Sequence, residues 1–307
     1  DTHPNDDNSH GTHVAGTVAQ STNNSLGVAG VSFSSSLMPV KILDDNGDGT
    51  YADLAAGLAF AADNGAHIVN MSLSGSSPAQ SLEDAVAYAY ANGVTVIAAT
   101  GNDGLNGVGY PAAYDDYVIA VGATRYDETK ADYSNYGTEL DMMGPGGDLD
   151  VDQNNDGYID GVLQNTFDPN TKNPKTFGYW FFEGTSMATP HVAGVAALIY
   201  ASDIKHPNAI RDILQSTAED LGVPGRDDLY GHGLVDALAA VQEAEARVGK
   251  WTAHSQNPLH GQEVGGPKVY YPTVVHDPNQ FSGNGGAAYY KMWHGTDDGE
   301  TALATSN

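Results

Sequence analysis

The stretch of sequence that decides the fold is Gly184-Thr185-Ser186-Met187-Ala188-Thr189-Pro190-His191-Val192-Ala193-Gly194. Small and apolar residues recur at helical spacing after Ser186, and Gly184 permits a tight turn before it, so a helix is predicted to start here. Pro190 falls in the first turn, where its missing N–H is not required. The Ser186 hydroxyl would then lie beside the free N–H groups of a helix N-terminus, which suits acyl transfer. The alternative role for a Thr-Ser pair in this position is to cap the helix.

Two other distinctive stretches lie upstream of this one. The first runs from Asn8 to Thr17 (NSHGTHVAGT), and the second runs from Ala98 to Gly104 (AATGNDG). The order and the neighbours of the histidine, asparagine and serine stretches closely resemble the subtilisin-like serine proteases, or subtilases. The resemblance covers about residues 5 to 248, and its serine motif is highly specific.

The resemblance implies a serine endopeptidase that hydrolyses peptide bonds in proteins through an acyl-enzyme. His10 would be the general base, Ser186 the nucleophile and Asn102 the donor to the oxyanion. From the residues alone, Gly101-Asn102 also fits an ordinary turn, because both residues tolerate left-handed conformations. Two functions from other classes are kept as alternatives, a non-catalytic binding module with a subtilase fold and a carbohydrate-binding protein. Retention of His10, Asn102 and Ser186 together argues against the first of these.

The chain between the motifs alternates apolar strand-like runs with helical patterns. Strands are predicted at 37–43, 67–73, 94–99 and 117–121, and helices near His10, after Thr50, at 78–92, after Ser186, at 206–218 and at 233–247. This alternation predicts an α/β fold of βαβ units, with a mainly parallel sheet covered by helices on both faces. The resemblance implies the three-layer subtilisin-like form of that fold. Functional residues of such sheets gather at the carboxyl ends of the strands.

The resemblance also implies residues that line the substrate cleft. Gly47 and Gly49 would form one wall beside the substrate backbone, although a plain Gly-rich turn is the simpler interpretation of their loop. The other candidates follow predicted strands, and they are Ser72, Leu73, Ser74 and Gly101. A cis peptide bond at Tyr110-Pro111 is implied by the resemblance, whereas trans is the default from sequence alone.

An Asp-rich insertion between Asp148 and Asp160 indicates a calcium site. Counted from Asp152, its oxygen-bearing residues follow the spacing of an EF-hand loop, with Gly157 at the sixth position. The candidate ligands are Asp152, Asn154, Asp156, Tyr158 and Asp160. The twelfth position is Leu163 instead of the usual glutamate, and a plain solvated loop is the alternative.

A second calcium loop is implied by the resemblance alone. It runs from Ser21 to Val28, and its ligands would be Thr22, Asn24, Leu26 and Val28. Its alternative is an ordinary polar connection, because the stretch is polar and has no helical period; one residue is inserted relative to the family. Ca2+ in these loops would be structural, because the chain has no cysteine and only oxygen-ligated ions and packing can staple it.

Composition excludes several classes of partner. The 307 residues carry 39 acidic and 12 basic side chains, and the net charge of −27 argues against nucleic acid and anionic membranes. No apolar run approaches the roughly 20 residues of a membrane span. We expect a secreted, extracellular monomer that acts on protein or peptide substrates.

Two domains are expected, a peptidase domain at 1–249 and a β-rich extension at 250–307. The extension has three aromatic strand-like runs, and it resembles one blade of a five-bladed glycosidase-type propeller; a hairpin packed on the protease is the alternative. Subtilases have a strand upstream that ends in the aspartate of the triad, and Asp1 follows no such strand. We therefore expect a fragment of a longer protein that is inactive or very weakly active by itself.

Overall fold

The structure is a computed structural model that describes residues 4–248. Helices and strands alternate along this part of the chain, as the apolar periodicity predicts. The elements are α1 (His10–Ala19), α2 (Tyr51–Asp63), β1 (Ile68–Met71), α3 (Gln80–Ala91), β2 (Thr95–Ala99), β3 (Val118–Thr124), β4 (Met142–Pro145), β5 (Val162–Phe167), β6 (Phe177–Phe182), α4 (Thr185–Ala201), α5 (Pro207–Thr217) and α6 (Ala237–Arg247).

The four strands β1 to β4 form one sheet in the order of the sequence, and all three pairings are parallel. Every residue of β2, β3 and β4 is buried, whereas β1 at the edge is only partly buried. Burial on both faces explains why β2 and β3 are continuous apolar runs without alternation. The predicted parallel α/β sheet is confirmed.

Successive residues of the strands point to opposite helical layers, because side chains alternate across a strand. In β2, Val96 and Ala98 pack with α2 and α3, whereas Ile97 packs with α4, α5 and α6. The same alternation separates Ala120 from Ile119 in β3. Two apolar clusters thus lie on the two faces of one sheet, which gives three layers.

Two further strands stand apart from this sheet. β5 and β6 form an antiparallel hairpin in which Val162 lies opposite Phe182. Helix α1 packs against both β5 and α4, and Val14 shares a small apolar cluster with Met187. The hairpin therefore supports the helix that begins with His10.

The predicted strand at 37–43 is wrong for the described structure, which has no strand there. A strand needs a neighbour for its backbone N–H and C=O groups. Among residues 4–248, no strand pairs with this segment, and β1 pairs with β2 alone. Leu37 and Met38 remain 49% and 40% exposed, so β propensity alone did not make a strand.

Local hydrogen bonds decide two of the helix boundaries. The Thr50 side chain caps the start of α2 by accepting from the Asp53 N–H, and its hydroxyl donates to the Asp53 carboxylate at 2.6 Å. Helix α6 begins at Ala237 and not at the predicted Gly233, whose φ of 113° is not helical. Asp236 caps it by accepting from the Ala239 N–H at 2.9 Å.

Asp1 and the predicted extension at 250–307, with its propeller-like runs, lie outside the described residues. Among residues 4–248, no helix combines the length and the apolarity that crossing a lipid bilayer requires.

The Tyr110-Pro111 peptide bond is cis, as the resemblance implies.

Candidate active site

Ser186 is the second residue of α4. Gly184 precedes the helix with φ 137° and ψ 163°, a conformation that favours glycine. Its N–H donates to the hydroxyl of Tyr133 at 3.0 Å, and that hydroxyl donates to the Gly147 carbonyl at 2.7 Å. The start of the helix is therefore tied to the segment that contains Tyr133, and Ser186 has a fixed position.

Ser72 and Ser186 hold each other by two hydrogen bonds across 114 residues of sequence. The Ser72 hydroxyl donates to the Ser186 carbonyl at 2.7 Å, and the Ser186 hydroxyl donates to the Ser72 carbonyl at 3.2 Å. Ser72 follows the last residue of β1 directly. The carboxyl end of a strand thus meets the N-terminus of α4, as expected for sites in parallel sheets.

Asn102 follows β2 and reaches the same helix N-terminus. Its Oδ1 accepts from the Thr185 N–H at 2.9 Å and from the Thr185 hydroxyl at 2.8 Å. Because the oxygen is occupied, the amide NH₂ is the group left for a ligand beside Ser186. The predicted oxyanion donor and the predicted nucleophile therefore lie side by side.

His10 is the first residue of α1, which packs against α4. Ser9 before it has a left-handed φ of 86° and makes no side-chain cap. Asp6 caps the helix instead, since its carboxylate accepts from the N–H groups of Asn8, Ser9 and Thr12 and from the Thr12 hydroxyl. Asp6 was not singled out from sequence, although Asp followed by a short polar run before a helix could have indicated it.

The charge state of His10 is set by two opposing effects. Burial lowers its pKa, and the negative charge of Asp6 partly opposes this. The imidazole is therefore neutral at neutral pH and can accept a proton. The hydrogen bonds of residues 4–248 include none between the His10 ring and Ser186, whose hydroxyl donates to Ser72 instead.

His13 and His191 are buried and make hydrogen bonds with backbone carbonyls. His13 Nε2 lies 3.0 Å from the Val162 carbonyl, and its ring stacks on Phe182 at 4.3 Å between centroids. His191 Nδ1 donates to the Met187 carbonyl at 2.8 Å. Burial lowers the pKa of His13 to about 3 and that of His191 to about 4, so both stay neutral.

The predicted cleft residues fall into two groups. Ser72, Leu73, Ser74 and Gly101 come together at the ends of β1 and β2, where a Cβ on Gly101 would lie 3.1 Å from Ser74 Oγ. Gly109, which sequence analysis missed, lies against the same side chain, because a Cβ there would lie 2.0 Å from Ser74 Oγ unless that hydroxyl turned away. Glycine at these two positions lets the chain after β2 approach Ser74 closely.

The second group is the loop of Gly47 and Gly49. Gly47 has φ 86°, and the loop is joined to the residues before His10 by the Asn8 side chain, which donates to the Asp45 carbonyl at 2.9 Å. A Cβ on Gly49 would lie 2.6 Å from the Ile42 carbonyl. The loop is thus fastened beside the start of α1, on the His10 side of the site.

The Asp-rich segment is a loop that leads into β5. Asp152 accepts from the N–H groups of Asp156 and Gly157, and Gly157 has φ 92°. Asp160 is buried, and its Oδ2 accepts from the Gln153 N–H. Among residues 4–248, no group of three or more His, Asp or Glu side chains is arranged to hold a metal ion.

The other predicted calcium loop contains three left-handed residues, Asn23, Ser25 and Gly27. Asn24 Oδ1 accepts from the Leu26 N–H at 3.0 Å, Leu26 is 69% exposed and Val28 is buried. Thr22 donates its hydroxyl to the Gln20 carbonyl. The conformation is that of a tight polar loop, and the assignment of these ligands stays a prediction.

Comparison with known proteins decides the family. The sequence model described as "Subtilase family" matches residues 1–233. The chain belongs to the subtilase family. This subtilase is 43% identical over 238 residues to the M-protease of Shouchella clausii (strain KSM-K16), across 77% of this chain and 56% of that protein. It is also 43% identical over 238 residues to Subtilisin Savinase of Lederbergia lenta. That match covers 77% of this chain and 79% of the other protein.

A solved structure gives the same result for the fold. The subtilase resembles one of the proteases from Pseudoalteromonas arctica, with a TM-score of 0.69 and 38% identity, over 76% of this chain and 70% of that one. The three-layer subtilisin-like fold predicted from the sequence is thereby confirmed. The subtilase spans little more than half of the M-protease, so the activity of the whole protein is argued below as a proposal.

Proposed function

We propose that this subtilase is a serine endopeptidase that cleaves peptide bonds in proteins through an acyl-enzyme at Ser186. The observation that carries the proposal is the placement of Asn102 beside Ser186, with its oxygen held by Thr185. A preorganised amide donor next to a hydroxyl at a helix N-terminus serves the transition state of acyl transfer. A module that only binds peptides has no use for that arrangement.

The reaction uses three side chains. His10 takes the proton of Ser186 Oγ as that oxygen attacks the peptide carbonyl, and the negative charge on the carbonyl oxygen is held by Asn102 Nδ2 and by the Ser186 N–H. That N–H lies in the first turn of α4, where it has no partner within the helix. His10 then gives the proton to the leaving amine, and water releases the acyl group in the reverse sequence.

His10 has to turn toward Ser186 for this reaction, and a carboxylate normally orients such a histidine. Asp6 is the acid whose charge acts on His10, but its carboxylate already accepts from Asn8, Ser9 and Thr12. We therefore propose that the orienting carboxylate is not among residues 4–248, and that the chain alone hydrolyses protein very weakly or not at all. The net charge of −27 favours a well-solvated, self-repelling surface, which supports an extracellular monomer as the working form.

The test is labelling of the purified chain with a fluorophosphonate and hydrolysis of casein, with Ser186→Ala as the control. We expect slow, Ser186-dependent labelling of the chain and faster labelling and hydrolysis when an upstream segment that carries an aspartate is added. Labelling that is unchanged in Ser186→Ala would contradict the assigned nucleophile. A folded protein that neither labels nor hydrolyses casein in either form would support the non-catalytic alternative.

We also propose that structural Ca2+ binds the loop of Asp152, Asn154 and Asp156. Burial and the charges of neighbouring aspartates raise the pKa of Asp160, so a cation at this loop would relieve repulsion. Carboxylate and amide oxygens with glycine at the sixth position suit a hard cation, and the carbonyl of Tyr158 would be a further ligand. The ion would supply rigidity at the base of β5 and no step of the reaction.

Calorimetric titration with Ca2+ and thermal unfolding test this site. Asp152→Asn should abolish the calcium-dependent rise in Tm, whereas Asp150→Asn, an exposed neighbour whose side chain is outside the proposed ligand set, should retain it. No change in Tm on addition of Ca2+, or an increase in Tm that is still seen in Asp152→Asn, would contradict the proposal. An increase in Tm that is lost on substitution of Asn24 instead would indicate that Ca2+ binds the 22–28 loop.

A further inference from the structure

The Asn135 side chain lies buried beneath the loop that carries Asn102. Asn135 is 4% exposed, and it lies between β3 and β4, more than 30 residues away from the loop in sequence. We propose that Asn135 is the positioning residue of the oxyanion site, which sets the place of Asn102 without touching the substrate. This proposal rests on the proposed function and adds a residue to it.

The amide of Asn135 holds the loop on both sides of Asn102. Its Oδ1 accepts from the Asp103 N–H at 2.9 Å and from the Leu105 N–H at 3.1 Å. Its Nδ2 donates to the Thr100 carbonyl at 3.2 Å and to the Asp103 carboxylate at 3.3 Å. The loop is therefore fixed directly before and directly after the Gly101-Asn102 pair, and the backbone of Asn102 has little freedom to move.

The backbone of Asn135 also makes hydrogen bonds to the loop that carries Asn102. The Asn135 N–H donates to the Gly101 carbonyl at 3.0 Å, and the Thr100 hydroxyl donates to the Asn135 carbonyl at 3.1 Å. Gly101 has φ 107°, and a Cβ there would lie 2.5 Å from Asn135 Nδ2. The loop thus lies directly on the Asn135 amide, and no side chain fits between them.

The same segment also reaches the nucleophile. Tyr133, two residues earlier, accepts from the Gly184 N–H at 3.0 Å, and its carbonyl accepts from the Gly104 N–H at 2.7 Å. One short segment therefore contacts the loop of Asn102 and the residue before Thr185. The distance between the amide donor and Ser186 depends on this segment as well as on the Thr185 contact.

Only an amide of this length satisfies all four side-chain contacts. The site presents two N–H donors and two oxygen acceptors, the Thr100 carbonyl and the Asp103 carboxylate, and asparagine offers an acceptor and a donor in one plane. In Asn135→Asp the shape is kept, but a carboxylate oxygen would face both acceptors, and both pairings made by the amide NH₂ are lost. We expect the loop to move and Asn102 to leave its contact with Thr185.

The kinetic test is a double-mutant cycle of Asn135→Asp with Asn102→Ala, in whichever form of the chain shows Ser186-dependent hydrolysis of a peptide anilide. Because the oxyanion exists only in the transition state, kcat should fall about 10- to 100-fold with KM within about twofold. With alanine at 102 there is no amide left to position, so Asn135→Asp should then change kcat less than about threefold. Equal losses in both backgrounds would overturn the proposal and make Asn135 merely structural.

Asn165 provides a matched control for the substitution. It is a partly buried amide in β5 that donates to the Gly178 carbonyl at 3.2 Å, and Asn165→Asp makes the same chemical change away from the loop. We expect its kcat to stay within about twofold of the unmodified enzyme. A loss as large as that of Asn135→Asp would show a general effect of charge burial and would count against the proposal.

A structural measurement keeps the proposal testable without activity. Crystal structures of the chain with Asn135→Asp and Asn135→Ser should show Asn102 Oδ1 more than 3.5 Å from Thr185 Oγ1, compared with 2.8 Å here. An undisturbed Asn102–Thr185 contact in both variants would refute the positioning role. Absence of Ser186-dependent chemistry in every form would refute the proposed function alone, and the crystallographic result would still decide this inference.

Discussion

Asn102 and Thr185 are 83 residues apart in sequence and are joined by two hydrogen bonds to one oxygen. Thr185 donates its N–H at 2.9 Å and its hydroxyl at 2.8 Å to Asn102 Oδ1. This pairing fixes which end of the amide faces Ser186, because the oxygen has accepted both donors. The orientation of Asn102, the proposed oxyanion donor, is therefore a property of the helix N-terminus as much as of the loop.

Removal of the Thr185 hydroxyl should loosen that orientation. Thr185→Val keeps the branched shape and the N–H bond but loses the 2.8 Å bond, which is worth about 1 kcal/mol, so we expect kcat to fall about fivefold with KM unchanged. Steady-state kinetics on a peptide anilide measure this. Thr189→Val is the control, since that buried hydroxyl donates to the Thr185 carbonyl within α4 and should affect Tm more than kcat.

The pH dependence of activity should follow His10. Its pKa is lowered by burial, and activity needs the neutral ring, so the acid limb of kcat/KM should lie below the ordinary value of about 6.5. Asp6 opposes the effect of burial, so Asp6→Asn should move the acid limb to still lower pH. The exposed Asp7→Asn is the control and should leave the profile in place. A shift to higher pH in Asp6→Asn would contradict this account.

Acid should destabilise the fold through its buried histidines. The unfolded chain binds protons near pH 6.5, whereas burial lowers the pKa of His191 to about 4, so this stability is complete above pH 6.5 and is lost as the pH falls toward 4. His191 should contribute about 1.4 kcal/mol per pH unit to the slope of unfolding free energy in that window.

Urea unfolding at pH 5 and pH 7 measures this slope. His191→Asn keeps a donor toward the Met187 carbonyl and removes the titrating ring, so it should reduce the difference between the two pH values. The same substitution at the exposed His67 is the surface control. An equal reduction in both variants would argue against a buried origin.

Two carboxylates share the Arg211 guanidinium and differ in burial. The side chain of Asp141 is 4% exposed and pairs with Arg211 at 2.8 Å, whereas that of Asp115 is 59% exposed and pairs at 2.6 Å. Asp141 also accepts from the Ala120 N–H and from Gln215. Asp141→Asn should cost about 3–5 kcal/mol of unfolding free energy, and Asp115→Asn at most about 1 kcal/mol. Chemical denaturation compares the two, and equal costs would contradict the argument from burial.

Sequence patterns predicted what depends on local chemistry. The continuous apolar runs predicted β2 and β3, because a strand that is buried on both faces is apolar along its whole length. The serine stretch predicted the start of α4, because its small and apolar residues recur at helical spacing. The strand at 37–43 failed because strand formation depends on a neighbour as well as on propensity, and none of the described residues supplies one.

Positioning residues were the part of the site that sequence analysis missed. Tyr133 and Asn135 stand in ordinary polar surroundings, and nothing in their immediate neighbours marks them, whereas the place of Asp6 before a helix could have indicated a cap. Their roles come from contacts over long sequence separations, such as the 32 residues between Asn135 and Asp103. From a single sequence, the role of Asn135 would have been indicated only by an asparagine near the sheet that had no other explanation.

The sequence by itself determined the parallel α/β layout through its periodicity, and short motifs gave the resemblance to the family and marked His10, Asn102 and Ser186 as candidate site residues. Only the tertiary structure decided how the amide of Asn102 is turned, what caps the helix of His10, and which buried side chain holds the loop of Asn102. The physical reason is that a hydrogen bond requires a donor and an acceptor within about 3 Å, and chain folding alone brings together groups that are far apart in sequence.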